Sequence, residues 1–428
     1  SAASDVYKRQ IMMWMFELLP EEIVAIMLPG LYILFDITNY ATAFSAWTTS
    51  TPWITLGGLM IGGMIVKSGL VLRIAYKSLL LTKGSLKGIV WGIVLTCTIF
   101  TPLIPSIMAK VALLVPVVIG ICKVLKVEAK SATASALMLV VFFALWSPKM
   151  AFMTASTDSI LTAGILEQYL GVKITWLAWA KDMFIPGILW MLVSIPLIYI
   201  LRPQHLNFNK EYLELEYRKL GKITIDEKKT VTLITALLIL LIFSSWHKLP
   251  EGVLMLGIGC LGFFPGIGLL KSDDFSKIQF KVVFFLAGAV TIGAVASSIG
   301  ITESVINFVQ PYFEQMNSYE LVMSIYIFSI LANFLLNPLA LIATLMIPIA
   351  NLCSNLGYSA TIGGYSMIMG FNQALFPYEI APLMLVYGFG YLKLTHLIKV
   401  MVFRVVAGII FMTVVTYPYW LYIGLLDK

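Results

Sequence analysis

Histidine, cysteine and charge are all scarce in this sequence. The three histidines, His205, His247 and His396, lie far apart near the ends of apolar runs, so none pairs at the spacing of a metal site or a catalytic base. Cys97, Cys122, Cys260 and Cys353 are scattered through apolar stretches without paired spacing, which removes a disulfide framework and a thiolate metal centre. Only 12% of the 428 residues are charged while 60% are apolar, a balance that excludes an ordinary soluble domain. Apolar stretches of about 20 residues recur, which favours a bundle of membrane-spanning helices over a barrel of alternating strands. The formal charge of +7 would suggest nucleic acid in a soluble chain. Here the basic residues fall mainly in short loops, where they orient a polytopic all-α membrane protein.

Two of the apolar stretches are interrupted. Residues 101–120, TPLIPSIMAKVALLVPVVIG, break at Pro102, Pro105 and Ser106 and then resume as a helix carrying Lys110; residues 333–350, NFLLNPLALIATLMIPIA, break at Asn337 and Pro338. Pro116 and Pro348 follow the two breaks at positions 232 apart. Unwound backbone at membrane depth costs several kcal/mol for each unpaired group and is tolerated only where protein or a watery cavity satisfies it. Two such interruptions at matching places in two halves of a chain point to a transporter's binding site.

In chain order, residues 1–10 match nothing that follows and read as a sequencing-adaptor remnant. Residues 11–17 are too short to span, so further helices are expected upstream. Residues 11–88 form the first part of the first half, with spans at about 20–36 and 53–67. Between 66 and 88 the chain has five basic residues (Lys67, Arg73, Lys77, Lys83, Lys87), no acidic one and an apolar face, as in an interfacial helix on the cytoplasmic side. Residues 89–201 form the second part of that half. It comprises a re-entrant hairpin to about 124, a span interrupted between 146 and 159 (WSPKMAFMTASTDS), and a return span at 176–201. Residues 202–229, with seven basic and five acidic residues, form a cytoplasmic linker.

Residues 230–320 open the second half, with spans at about 230–245, 252–269 and 281–297 and then a segment, 300–320, with three acidic residues and no basic one. Residues 321–428 complete it with a hairpin at 321–356, an interrupted span around GFNQALFPYEIAPLMLVYGFG and a last helix from Lys399 to Tyr422. Gly57, Gly62 and Gly69 recur as Gly288, Gly293 and Gly300, each pair 231 apart. With the opposite charge of the two interfacial segments, this predicts two inverted repeats.

Charges inside such spans are expensive, so Lys110, Lys149, Asp158 and Glu379 are candidates for function, against a background of snorkelling side chains and structural ion pairs. Ser106, Thr154, Ser156, Thr157, Ser159, Asn337, Asn372 and Gln373 supply neutral donors at the same breaks. Half-helix N-termini suit a carboxylate, sulfate or phosphate, and unwound carbonyls and hydroxyls suit sodium. The expected substrate ligands are Ser106, Lys110, Asn337, Thr154, Ser156, Thr157 and Pro382; the expected ion ligands are Ser106, Asp158, Ser159, Asn337 and Glu379.

MFELLPEEIVAIMLP, the Lys-Ser-Gly-Leu before the basic helix, the two hairpins, TASTDSILTAGILEQYLGVKITW and FPYEIAPLMLVYGFGYLKL together resemble the divalent anion/sodium symporter family, within the ion-transporter superfamily. The resemblance covers residues 14–420. It implies sodium-coupled transport of di- and tricarboxylates or sulfate, a scaffold that holds a homodimer, and a transport part that moves like an elevator in a cell (inner) membrane, with Na+ as the coupling ion and no cofactor. The family's hairpin tips carry Ser-Asn-Thr; here they read Pro105-Ser106-Ile107 and Leu336-Asn337-Pro338. Lys110 could replace a bound sodium with a tethered charge, giving a sodium-independent exchanger or uniporter. A passive channel would need a continuous polar stripe along whole helices, whereas polarity here is confined to the breaks. An enzyme would need a nucleophile paired with a base, and the sequence offers none.

Overall fold

The computed structural model describes residues 19–82, 85–171, 174–205, 210–298 and 300–427. The expected remnant and the short stretch after it lie outside the described residues. Where described, the chain is helical and contains no strand. The first half runs α1 (Glu21–Leu34), α2 (Ser50–Lys67), α3 (Leu70–Leu81), α4 (Leu86–Phe100), α5 (Ile107–Val124), α6 (Ala132–Trp146), α7 (Thr157–Leu170) and α8 (Trp176–Ser194). After a linker helix α9 (Glu211–Lys219), the second half runs α10 (Ile225–Ile242), α11 (Glu251–Leu261), α12 (Phe280–Ser298), α13 (Ile301–Phe313), α14 (Ser318–Ala332), α15 (Pro338–Asn355), α16 (Ala360–Phe371), α17 (Ala381–Gly388) and α18 (Leu394–Phe411).

One order of elements occurs twice. A long helix, α2 or α12, turns through a left-handed glycine, Gly69 (φ +81°) or Gly300 (φ +74°), into an amphipathic arm, α3 or α13. A side chain is strained at such φ values, which is why glycine stands at both turns. Each arm leads to a helical hairpin, α4 with α5 or α14 with α15, and each hairpin to a broken helix, α6 with α7 or α16 with α17. Two of the offset glycines do matching work. A Cβ on Gly57 would lie 2.3 Å from the Met255 carbonyl carbon, and one on Gly288 2.5 Å from the Ala25 carbonyl oxygen, so each lets a neighbouring helix approach at backbone distance.

Among the described residues, five helical stretches are long and apolar enough to cross a membrane: Ile107–Val124, Ala132–Ala151, Trp176–Leu201, Pro338–Asn355 and Leu394–Tyr422. α6 is buried from Thr133 to Trp146 and so sits inside protein, while α18 turns Val402, Phe403, Val406 and Ile410 outward. Three boundaries differ from the sequence reading. α10 starts within the expected linker, because Thr224 and Glu227 form a capping box that begins the helix there. α11 ends at Leu261, since Pro265 and the left-handed Gly266 (φ +90°) and Gly268 (φ +61°) cannot continue a helix. α18 starts at Leu394 instead of Lys399.

The linker is fastened to the first arm. The buried Arg73 donates to Glu227 Oε1 at 2.6 Å and to the carbonyls of Leu220, Gly221 and Lys222 at 3.0–3.2 Å. One guanidinium thus caps the end of α9 and anchors the start of α10.

Candidate functional site

The broken elements position the site. Each hairpin folds because a cap residue starts its second helix: Ser106 Oγ accepts the Ala109 N–H at 3.2 Å, and Asn337 Oδ1 accepts the Ala340 N–H at 3.0 Å. Between α6 and α7 the chain runs through 3-10 turns at Ser147–Ala151 and Met153–Ala155, and between α16 and α17 through a 3-10 turn at Pro377–Glu379. Both tips and both breaks border one cavity of ≈ 270 Å³. The N-termini of α5, α7, α15 and α17 all end on it, through Ser106 and Ile107, Ser156 and Thr157, Asn337 and Pro338, and Ile380 and Ala381. Each N-terminus carries roughly half a positive charge, and such ends bind anions.

Seven expected site residues line the cavity: Ser106, Ser156, Thr157, Asp158, Asn337, Glu379 and Pro382. Lys110, Thr154 and Ser159 stand behind the lining. The Lys110 ammonium donates to the Ala155 carbonyl at 3.3 Å. Thr154 Oγ1 donates to the Pro102 carbonyl at 3.1 Å and accepts from Trp176 Nε1 at 3.1 Å, which ties the first break to the first tip. Ser159 Oγ bonds Ser156 Oγ at 3.0 Å.

Charge in the cavity comes from three side chains. Lys149 forms an ion pair with Asp158 and lies 3.2 Å from the centre of the Trp146 ring, a cation–π contact between buried groups. Glu379 has no cationic partner among the described residues. Its Oε1 accepts the amides of Leu375 at 3.0 Å and Phe376 at 2.7 Å, and its Oε2 accepts from Asn333 Nδ2 at 3.3 Å. A buried carboxylate held by amides alone leaves room for a cation.

The sequence reading missed one group of residues that line the cavity and, in a second group built on the expected Asn372 and Gln373, the partners Arg404 and Trp190. Thr55, Leu59, Gln279 and Val282 close the cavity from α2, the turn before α12 and α12 itself; nothing local marks them. The second group joins the two breaks. Asn372 exchanges hydrogen bonds of 2.9 Å with Trp146, its Oδ1 accepts Trp190 Nε1 at 2.9 Å, and Arg404 of α18 donates to its carbonyl and its Oδ1 at 2.6 Å each. Arg404 also reaches Ser147 Oγ at 3.0 Å and Gln373 Oε1 at 3.1 Å, and its guanidinium lies over the Trp190 ring. The unwound groups of one break are thereby satisfied by the other. Arg404 carried a visible signal, an arginine within an apolar run. Starting the last helix at Lys399 put it near a helix end, where arginine commonly snorkels.

The family described as Sodium:sulfate symporter transmembrane region matches residues 2–426. The chain is similar to the chloroplast Dicarboxylate transporter 1 of Spinacia oleracea, with 27% identity over 226 residues, 51% of this chain; it spans 40% of that protein's length. It is also similar to the L-tartrate/succinate antiporter of Shigella dysenteriae, with 23% identity over 417 residues, covering 89% of this chain and 82% of that protein. Among solved structures, the Alcanivorax borkumensis YdaH transporter shares the fold, with a TM-score of 0.60 at 14% identity over 92% of this chain and 89% of that one.

Proposed function

The chain belongs to the sodium:sulfate symporter family, and from that premise we propose that it is a secondary active transporter of small anions, with di- and tricarboxylates or sulfate as the substrate class and a cation as the coupling partner. The observation that carries the proposal is the meeting of four helix N-termini on one cavity. A dicarboxylate is favoured within the class, since the similar proteins bear the names dicarboxylate transporter and L-tartrate/succinate antiporter.

In this reading Ser106, Ser156, Thr157 and Asn337 hold the anion with the amides beside them, and Pro382 shapes the wall. Asp158 and Glu379 serve the coupling ion, sodium by family, and Lys110, Thr154 and Ser159 hold the lining in place from behind. With Lys149 charged and both carboxylates ionised, the lining carries one net negative charge. A dianion entering such a site needs a cation beside it. Residues 89–201 and 321–428 would travel as a transport part against a scaffold of 11–88 and 230–320, by an elevator motion of two inverted repeats. The scaffold would hold a homodimer in a cell (inner) membrane.

Uptake of labelled succinate, tartrate and sulfate into proteoliposomes, in sodium, potassium and choline media, tests the proposal. A saturable, sodium-dependent uptake that Ser106→Ala and Asn337→Ala each weaken at least tenfold is expected. Uptake indifferent to the cation would favour the sodium-independent alternative with Lys110 as tethered charge. Wild-type rates in both alanine variants would move the site elsewhere.

A further inference from the structure

A second cavity, ≈ 520 Å³, adjoins the central one and shares Leu59, Ser106 and Gln279 with it. It follows one stripe of α2, where Leu59, Gly63, Val66 and Lys67 stand at helical spacing, and faces the segment that carries Asp274 and Lys277. Gly62 and Gly63 leave that stripe bare beside the passage. Lys67 ends α2, eight residues from Leu59, so the outer end of the cavity lies about 12 Å from the central site. This outer end is on the face that carries the basic arm α3.

Charge at the outer end is arranged around one carboxylate. Asp274 forms an ion pair with Lys67, accepts the Lys271 N–H at 2.8 Å and has the Lys277 ammonium at 3.8 Å. Two ammonium groups thus share a single counterion, and the Lys277 side chain is 75% exposed. A mouth with a surplus positive charge, opening into a narrow apolar passage, raises the local concentration of anions and focuses them inward.

We propose that Lys67 and Lys277, bridged by Asp274, form a peripheral binding site for small multivalent anions at the mouth of this passage, and that substrate moves from it along Gly62 and Gly63 to Ser106. The proposal rests on the anion-transport reading of the central cavity. An incoming carboxylate or sulfate competes with Asp274 for the two ammonium groups and stays close enough to the central site to be passed on. The Lys67–Asp274 pair then re-forms behind it.

The test separates this proposal from the transport reading. Gly63→Cys places a thiol in the passage, where its Cβ meets no more than Leu270 at 3.7 Å. In a Cys260→Ser background, its rates of modification by an anionic and by a cationic methanethiosulfonate are compared. In low salt the anionic-to-cationic rate ratio should fall about three- to tenfold in Lys67→Ala/Lys277→Ala and should be retained in Lys67→Arg/Lys277→Arg. An unchanged ratio in the alanine variant overturns the site, whether or not the protein transports. In neutral phosphatidylcholine vesicles the alanine variant should show a KM for succinate raised about tenfold with kcat kept, and Asp274→Asn a lowered KM. A changed labelling ratio with an unchanged KM would overturn the substrate route. A KM effect confined to vesicles containing anionic lipid would make the lysines a lipid headgroup site and overturn the proposal too. If the wild type transports none of the anions, the transport reading fails, and the labelling ratio still decides whether the mouth gathers anions.

Discussion

Replacing Lys149 by methionine removes the one cation that faces Asp158 in the cavity. Asp158 is 4% exposed, and without its partner its remaining donors are the neutral Ser156 hydroxyl and the Ser159 amide at 3.2 Å. Breaking a buried pair from one side costs roughly 3–5 kcal/mol, because the charge left behind is neither solvated nor paired. Lys149→Met should therefore shift the denaturant midpoint in detergent by an amount equivalent to that loss, with Asp158→Leu suffering similarly from a stranded ammonium over the Trp146 ring. The double variant, Lys149→Met/Asp158→Leu, should recover most of the stability, since an apolar pair of similar volume is often neutral or better. Its transport should stay lost, because the cavity then has neither charge. The measurement is a double-mutant cycle of unfolding midpoints with uptake beside it, and a coupling of at least about 4 kcal/mol is expected, since the two single losses sum to about 6–10 kcal/mol and the double variant recovers most of them. Additive losses, or a Lys149→Met protein as stable as the wild type, would refute the pairing as the reason these two charges are tolerated inside the span.

Gly58→Ala would set a Cβ 2.4 Å from Cγ of Pro105, so the first hairpin tip must shift. Uptake should fall at least tenfold while size-exclusion behaviour is unchanged, and near-normal uptake would mean that the tip does not bear on α2 during transport. Asn372→Ala removes the acceptor that Arg404 and Trp190 share while Arg404 keeps Ser147 Oγ, Gln373 Oε1 and the residue 372 carbonyl, so thermal stability should drop by about 2–3 kcal/mol; a drop under about 1 kcal/mol would show that water replaces the side chain. For topology, Ser85→Cys and Ser318→Cys should be labelled from opposite faces of the membrane, and labelling of both from one face would sink the inversion of the repeats.

What the sequence made legible was local. Proline, serine and asparagine inside apolar runs break a helix wherever they stand, so both hairpin tips and both interrupted spans could be read from single stretches, and Gly69 and Gly300 marked the two turns into the arms. The companions of the candidate residues were less legible. Asp158 finds its cation nine positions away across a 3-10 turn, and Glu379 is held by amides that exist only because the break unwinds there. The partners of Arg404 lie 31, 32 and 257 positions away. Such contacts follow from tertiary packing, which spacing along one helix does not encode. Lys110 illustrates the limit: its cost in an apolar helix was legible, but not that its ammonium ends on the Ala155 carbonyl behind the lining.

The central claim, that this chain is a carrier whose cavity exchanges anions across the membrane, is tested most directly by counterflow. Proteoliposomes loaded with a high concentration of unlabelled dicarboxylate are diluted into a trace of the labelled compound with no ion gradient. A carrier predicts transient accumulation of label well above equilibrium, abolished when the internal dicarboxylate is omitted and weakened in Ser106→Ala and Asn337→Ala. Label that only equilibrates, at a rate indifferent to the internal pool, would identify a passive pore and contradict the account.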